Sequence, residues 1–96
     1  MDNNLFDVIA KWIVYDYAFA HLDKSDDIKF TLGDVYIVWS CKTLQNNKAL
    51  LSTTLPDGMY YELTYNGDKD EMYLDAYKKF QNIRIEMEGD DYIPFI

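Results

Sequence analysis

Val35-Tyr36-Ile37-Val38-Trp39-Ser40-Cys41-Lys42, Ala49-Leu50-Leu51-Ser52-Thr53-Thr54-Leu55 and Met59-Tyr60-Tyr61-Glu62-Leu63-Thr64-Tyr65 are three successive runs of β-branched, aromatic and aliphatic residues. Alternating side chains on a strand point to opposite faces, so each run divides into two sets. Val35, Ile37, Trp39 and Cys41 form the inward set of the first run, Ala49, Leu51, Thr53 and Leu55 that of the second, and Met59, Tyr61, Leu63 and Tyr65 that of the third. Gln45-Asn46-Asn47 separates the first two runs, since Asn tolerates positive φ. Pro56-Asp57-Gly58 separates the next two: Pro presets φ, Asp bonds back into its own turn, and Gly takes the left-handed position. The reading is three antiparallel strands with one covered face.

Outward from this sheet, Asn66-Gly67 turns the chain and Asp68-Lys69-Asp70-Glu71 has the D-x-x-E form of a helix N-terminus. Met72, Tyr73, Ala76, Phe80 and Ile83 then make the stripe of a second helix, with Lys78 and Lys79 toward its C-terminal half. On the other side, residues 4–22 read as a first helix whose apolar face holds Leu5, Val8, Ile9, Trp12, Ile13, Phe19 and Ala20, with Asp7, Lys11 and His21 opposite. Asp16 falls in the middle of that apolar face. It either reaches past the stripe to water or a nearby polar group, or is a buried carboxylate with a raised pKa. Asp23-Lys24-Ser25-Asp26-Asp27 is a polar linker without the glycine and terminal Glu of a calcium loop. Ile28 to Asp34 lead into the sheet. The expected architecture is α+β: a three-stranded antiparallel meander with one helix before it and one after it, a topology resembling double-stranded-RNA-binding domains. Residues 1–85 make the single domain, and 86–96 an acidic tail with an apolar tip.

Ninety-six residues, 49% apolar and 17% aromatic, suit one domain whose core draws on nine tyrosines and two tryptophans. A single cysteine permits no internal disulfide, which fits a reducing compartment. The start Met-Asp-Asn-Asn-Leu-Phe-Asp lacks the basic, apolar pattern of a signal peptide, and no stretch approaches the roughly 20 apolar residues of a membrane span. The chain is expected to be soluble and intracellular.

Charge is the strongest global feature. Seventeen acids against nine bases give −8, and Arg84 is the only arginine. Nucleic-acid binders neutralise phosphates with clustered Lys and Arg, so this chain is expected to repel phosphate and acidic membranes. A basic protein surface is its natural complement. The excess lies in the flanks: residues 1–34 hold seven acids and three bases, residues 68–96 eight and four, while residues 35–67 balance at two and two.

Few residues suggest catalysis. A nucleophilic triad would need His21, which is more simply a ring at a helix C-terminus. Cys41 shares parity with Ile37 and Trp39 and reads as a small core residue. Zinc would need more Cys and His ligands than one of each. No phosphate-cradling glycine loop, cofactor motif or metal motif stands out. Where a double-stranded-RNA-binding domain carries phosphate-binding lysines, this chain has Asp68, Asp70 and Glu71, so that binding function does not transfer. Two surfaces remain. The outward sheet face shows Tyr36, Val38, Leu50, Tyr60 and Glu62, either a contact surface or a tolerably polar solvent face. The tail, with Glu86, Glu88, Asp90 and Asp91, either docks on a partner or folds back onto the core.

Tyr36-Ile37-Val38-Trp39-Ser40-Cys41-Lys42, Lys48-Ala49-Leu50-Leu51-Ser52-Thr53-Thr54-Leu55-Pro56-Asp57-Gly58-Met59-Tyr60-Tyr61-Glu62, Thr64-Tyr65-Asn66-Gly67-Asp68-Lys69 and Tyr73-Leu74-Asp75-Ala76-Tyr77-Lys78-Lys79-Phe80 resemble a family of small, functionally unassigned proteins from phages and prophages of Gram-positive bacteria. That family offers no functional residues to carry over. The resemblance implies a setting in the host cytoplasm, where small acidic phage proteins often bind and disable CRISPR nucleases, restriction enzymes or polymerases. Such targets hold nucleic acid in basic channels, for which an acidic protein competes as a nucleic-acid mimic. The expected function is therefore non-enzymatic binding to a basic host protein, inhibiting a defence or nucleic-acid-handling enzyme in the manner of an anti-CRISPR. The alternative is a structural or accessory phage module that forms a homodimer through its open sheet face. An enzyme using Asp16 and His21 stands third.

Overall fold

The first helix forms as its periodicity requires, but it seats a different face on the sheet. In the computed structural model, which describes residues 1–23 and 28–94, α1 runs Asn3–Ala20. Asp2 caps it, Oδ1 accepting from the backbone N–H of Asn4 at 2.6 Å and of Leu5 at 3.4 Å, so free donors of the first turn are satisfied. Phe6, Ala10, Val14 and Ala18, spaced by four, are the residues buried beneath it. Two alanines among the four let the helix backbone approach the sheet closely. Leu5, Val8, Trp12 and Phe19, four residues of the expected core face, are instead about half exposed. Asp16 is exposed among them, which removes the buried-carboxylate reading. Of the polar linker, residues 24–27 lie outside the described residues.

A short 3₁₀ turn, Leu32–Asp34, precedes the sheet. Asp34 Oδ2 accepts from the Thr31 backbone N–H at 2.8 Å and from the Thr31 hydroxyl at 3.2 Å. The backbone hydrogen bond from Thr31 is the main reason that the Asp34 carboxyl lies below its ordinary pKa of 3.8.

The sheet has four strands, β1 (Val35–Thr43), β2 (Asn46–Thr53), β3 (Met59–Asn66) and β4 (Glu71–Lys78), antiparallel and in the order β1-β2-β3-β4. This corrects the three-stranded meander flanked by two helices, and with it the double-stranded-RNA-binding-domain topology. The expected second helix is β4. Its Asp68-Lys69-Asp70-Glu71 start is a hairpin turn: Asn66 Oδ1 accepts from the Asp68 and Lys69 backbone N–H groups, and Asp70 takes φ 52°. Met72, Leu74 and Ala76 pair opposite Tyr65, Leu63 and Tyr61, which are already on the covered face. A strand satisfies β3's open edge hydrogen bonds along its length, which a helix at the same place would leave unpaired. The helical D-x-x-E signal is outcompeted by that pairing.

Gly67 shows how tightly the two hairpin ends meet. A Cβ at Gly67 would lie 2.0 Å from the Gln45 carbonyl oxygen, and its N–H donates to Asn46 Oδ1 at 3.0 Å. At the β2–β3 turn, Gly58 takes φ 68° and the Met59 N–H donates to Asp57 Oδ1 at 3.0 Å, as the Pro-Asp-Gly sequence predicts. The β1–β2 connection is tighter than Gln45-Asn46-Asn47 suggested. Thr43 pairs with Asn46, and Leu44 carries the positive φ, 56°.

The register of β1 shifts between Ile37 and Trp39, so Val38 is an extra residue in a β-bulge. Before the bulge, Val35 and Ile37 face the helix, as expected. Beyond it the parity inverts: Ser40 pairs with Ala49 on the helix side, and Trp39 and Cys41 turn to the other face, where both are exposed. Cys41 is thus not a core residue. The inversion has a polar partner across the layers. Ser40 Oγ accepts from Asn3 Nδ2 and donates to Asp7 Oδ2, each at 3.2 Å, while buried Asn47 donates to Asn3 Oδ1 at 3.3 Å. These bonds tie the first turns of α1 to β1 and β2.

The core lies between α1 and the sheet, built from Phe6, Ala10, Val14 and Ala18 below the helix and Val35, Ala49, Leu51, Tyr61 and Leu63 above the strands, with Phe30 closing one end. Tyr17 reaches β3 through an edge contact with Tyr61. Burial pushes the Tyr61 phenol above its ordinary pKa. A second, two-stranded sheet pairs β5 (Glu86–Glu88) with β6 (Asp91–Ile93). It does not fold back on the core: every described residue from Lys78 onward is exposed. Its three-residue strands are too short to bury an apolar face against the domain. The radius of gyration is accordingly 16.5 Å, against about 12.5 Å for a compact chain of this size.

Candidate functional site: the open face of the sheet

The helix packs on one side of the sheet, mainly over β1 and β2, and among the described residues the other side is open. Register assigns its residues in cross-strand rows. Tyr36, Ser52, Tyr60 and Tyr77 form the first, Trp39, Leu50, Glu62 and Asp75 the second, and Cys41, Lys48, Thr64 and Tyr73 the third. Tyr36, Trp39, Tyr73 and Tyr77 are between 43% and 52% exposed, so four large aromatic rings are accessible on this one face. Leu50 and Tyr60 are half-buried between their neighbours.

The face is also acidic. Glu62 pairs with Lys48 at 3.0 Å, and this hydrogen bond and charge hold the Lys48 ammonium above its ordinary pKa. Asp75 and Glu71 have no cation paired to them among the described residues. The Tyr73 hydroxyl donates to Glu71, which pushes the phenol pKa up. The four strands together remain balanced, Glu62, Glu71 and Asp75 against Lys42, Lys48 and Lys78, but all three carboxylates fall on this face and only Lys48 of the cations does. At one end a pocket of about 250 Å³ opens between Tyr36, Ser52, Leu55, Pro56, Tyr60 and Lys79. Ser52 is held there by donating to the Met59 carbonyl at 2.8 Å, and the Lys79 ammonium lies 5.9 Å from the Tyr60 ring centre, within cation–π range.

Of the residues singled out from sequence, Tyr36, Leu50, Tyr60 and Glu62 share this face. Val38 lies on this side too, as the extra residue of the bulge beside Trp39, and is 48% exposed. Glu71 opens β4 beside Tyr73, whereas Asp68 and Asp70 lie in the β3–β4 turn. There Asp68 accepts from Gln45 Nε2 at 2.7 Å and Asp70 accepts from the Tyr65 hydroxyl at 2.5 Å, a bond that raises the Tyr65 pKa. Glu86, Glu88, Asp90 and Asp91 belong to the separate β5–β6 hairpin. Sequence reading missed Trp39, Tyr73, Asp75 and Tyr77. The period-two pattern of Tyr73, Asp75 and Tyr77 was available as a signal; the bulge that exposes Trp39 was not.

His21 and Asp16 are not brought together with Cys41. His21 is exposed at the end of α1, its ring stacked on Tyr17 at 4.1 Å and its Nδ1 donating to the Tyr17 carbonyl at 2.8 Å. Aromatic sheet faces can stack nucleic-acid bases, but those that do are flanked by cations for the phosphates. Here the central cation, Lys48, is already paired and the neighbours are carboxylates. The chemistry matches a protein surface carrying Lys or Arg, which aromatic rings and carboxylates both receive.

The molecule is thus a helix-on-sheet protein with an uncovered aromatic and acidic face. Residues 7–87 match Family of unknown function (DUF6275), and the chain belongs to that family. No curated protein and no solved structure matches it.

Proposed function

We propose that the chain is a non-enzymatic binding module that docks its open sheet face on a basic surface of another protein. The observation supporting this reading is the coincidence on one face of Tyr36, Trp39, Tyr60, Tyr73 and Tyr77 with Glu62, Glu71 and Asp75. Aromatic anchors supply buried area at low entropic cost, and carboxylates steer the encounter and select cationic partners. The β3–β4 turn, with Asp68 and Asp70, extends the same negative field beyond the sheet. In the phage setting that the family resemblance implies, the partner is a host enzyme that handles nucleic acid or carries out defence, and the module inhibits it by occupying its basic channel.

The test is capture from host lysate by the immobilised chain, run beside a Trp39→Ala/Tyr60→Ala variant at low and high salt. The expected result is a protein retained at low salt, released at high salt and lost with the variant. Salt-insensitive capture overturns electrostatic steering. Equal capture by the variant removes the sheet face from the interaction.

A further inference from the structure

The outer face of α1 carries an apolar stripe that the described residues leave largely uncovered, Tyr15 alone of the stripe packing inward, on Phe30. Leu5, Val8, Trp12, Tyr15 and Phe19 follow spacings of three and four residues, the a/d repeat of a coiled-coil seam over two heptads. Leu5, Val8, Trp12 and Phe19 are 52%, 53%, 49% and 54% exposed, on the side of the helix opposite Phe6, Ala10 and Val14. A helix apolar on both sides is one meant to be buried on both sides.

We infer that this face is a self-association surface, and that two copies pair their α1 helices in parallel through this seam. Three observations favour a second copy over an unrelated partner. First, the a/d pattern is self-complementary, as a two-fold interface requires. Second, the two charged residues beside the seam complement each other. With Leu5 at position a, Lys11 falls at g and Asp16 at e, five residues apart, which is the offset that meets across a parallel pair. A two-fold axis therefore makes two Lys11–Asp16 ion pairs, one on each side. Neither residue has an ion-pair partner within the chain among the described residues. An antiparallel pair centred on Trp12 would instead bring the two Lys11 side chains near each other. Third, the seam is already organised: the Tyr15 ring stacks on Phe30 at 5.4 Å and contacts Trp12 and Phe19 at 5.9 and 5.8 Å. Helix nucleation is costly in water, and most helical stability in proteins comes from tertiary packing. Here the sheet has already formed the helix, so association costs less ordering. Asp16, anomalous within an apolar face, becomes the residue that sets orientation.

The dimer would be a sheet–helix–helix–sheet stack with both aromatic sheet faces outermost. It would be bivalent, gaining avidity for a partner that offers two basic sites.

Sedimentation velocity on the full chain tests this independently of any binding partner. The wild type is expected to be dimeric with a dissociation constant of about 10 μM or tighter. Trp12→Glu, and separately Val8→Arg, should sediment as monomers with unchanged far-ultraviolet circular dichroism; two variants guard against one failing to fold. Asp16→Lys should weaken the dimer by roughly tenfold or more, and Lys11→Asp combined with Asp16→Lys should restore it. A wild type that stays monomeric at about 200 μM overturns the inference, since it leaves the seam without useful affinity. So does a dimer lost with Tyr60→Lys but kept with Trp12→Glu, which places the interface on the open sheet. A double swap no tighter than the single one overturns the parallel arrangement.

Discussion

Tyr60 and Tyr61 are neighbours in β3 and chemically identical, yet Tyr61 is 2% exposed beneath α1 while Tyr60 lies on the open face beside Lys79. The same strand thus serves two layers with different tasks. The helix-covered layer excludes water and supplies the hydrophobic stabilisation. The open layer keeps its aromatic groups accessible at the cost of leaving apolar surface in water. Alternation along β3 lets both coexist, because neighbouring residues of a regular strand point to opposite faces.

The contrast can be broken most strongly at the pair itself. Tyr61→Ala should cost about 3–5 kcal/mol, as large-to-small changes in a packed core do. Tyr60→Ala should cost under about 1 kcal/mol, as a change outside the core does, while abolishing partner capture. Urea denaturation measures both, and similar losses would mean that the open face is structural. Gly67→Ala comes next. Its methyl would run into the Gln45 backbone rather than a movable side chain, so the two hairpin ends must separate, at about 1–3 kcal/mol. The readout is the denaturation midpoint, with partner binding largely kept.

Leu44→Gly should act in the opposite direction. Leu44 is 82% exposed and holds φ 56°, so glycine removes backbone strain without losing core packing, raising stability by about 1 kcal/mol. For a domain of this size that is roughly 4–8 °C in the melting temperature. The smallest effect is at Asp34. Its carboxyl pKa is lowered in the folded chain, so its contribution is present above 3.8 and is lost as pH falls through the lower folded value. Asp34→Asn should therefore melt below the wild type at neutral pH, with the gap closing in acid. A gap constant between pH 6 and about pH 3 would remove the linkage.

Legibility from sequence followed the range of the forces involved. The three strands of the first hairpins, the Pro-Asp-Gly turn and the helix were readable because their signals are local: alternation, fixed φ and a 3.6-residue period. The inward sets of the second and third strands, Ala49 to Thr53 and Met59 to Tyr65, match the covered face. The stretch after Gly67 was ambiguous, since Met72, Tyr73, Ala76 and Phe80 suit a helix while Met72, Leu74 and Ala76 suit a strand. Only β3's unpaired edge, contributed by residues elsewhere in the chain, decides between them. Likewise Trp39 and Cys41 change face because of a single bulged residue, Val38, whose cost is met by the Ser40 contacts with Asn3 and Asp7 on a distant helix.

By itself the sequence determined that the chain is acidic, has three strongly patterned strands, and starts with a helix bearing Leu5, Val8, Trp12 and Phe19 on one stripe. Which side of that helix meets the sheet was decided by tertiary packing. The stripe with the bulkiest residues looked like the core, but Ala10 and Ala18 allow the close approach of helix to sheet that Trp12 and Phe19 would prevent. Periodicity reports that a face is apolar, and only the fit of the layers decides whether that face is buried within the chain or left for another molecule.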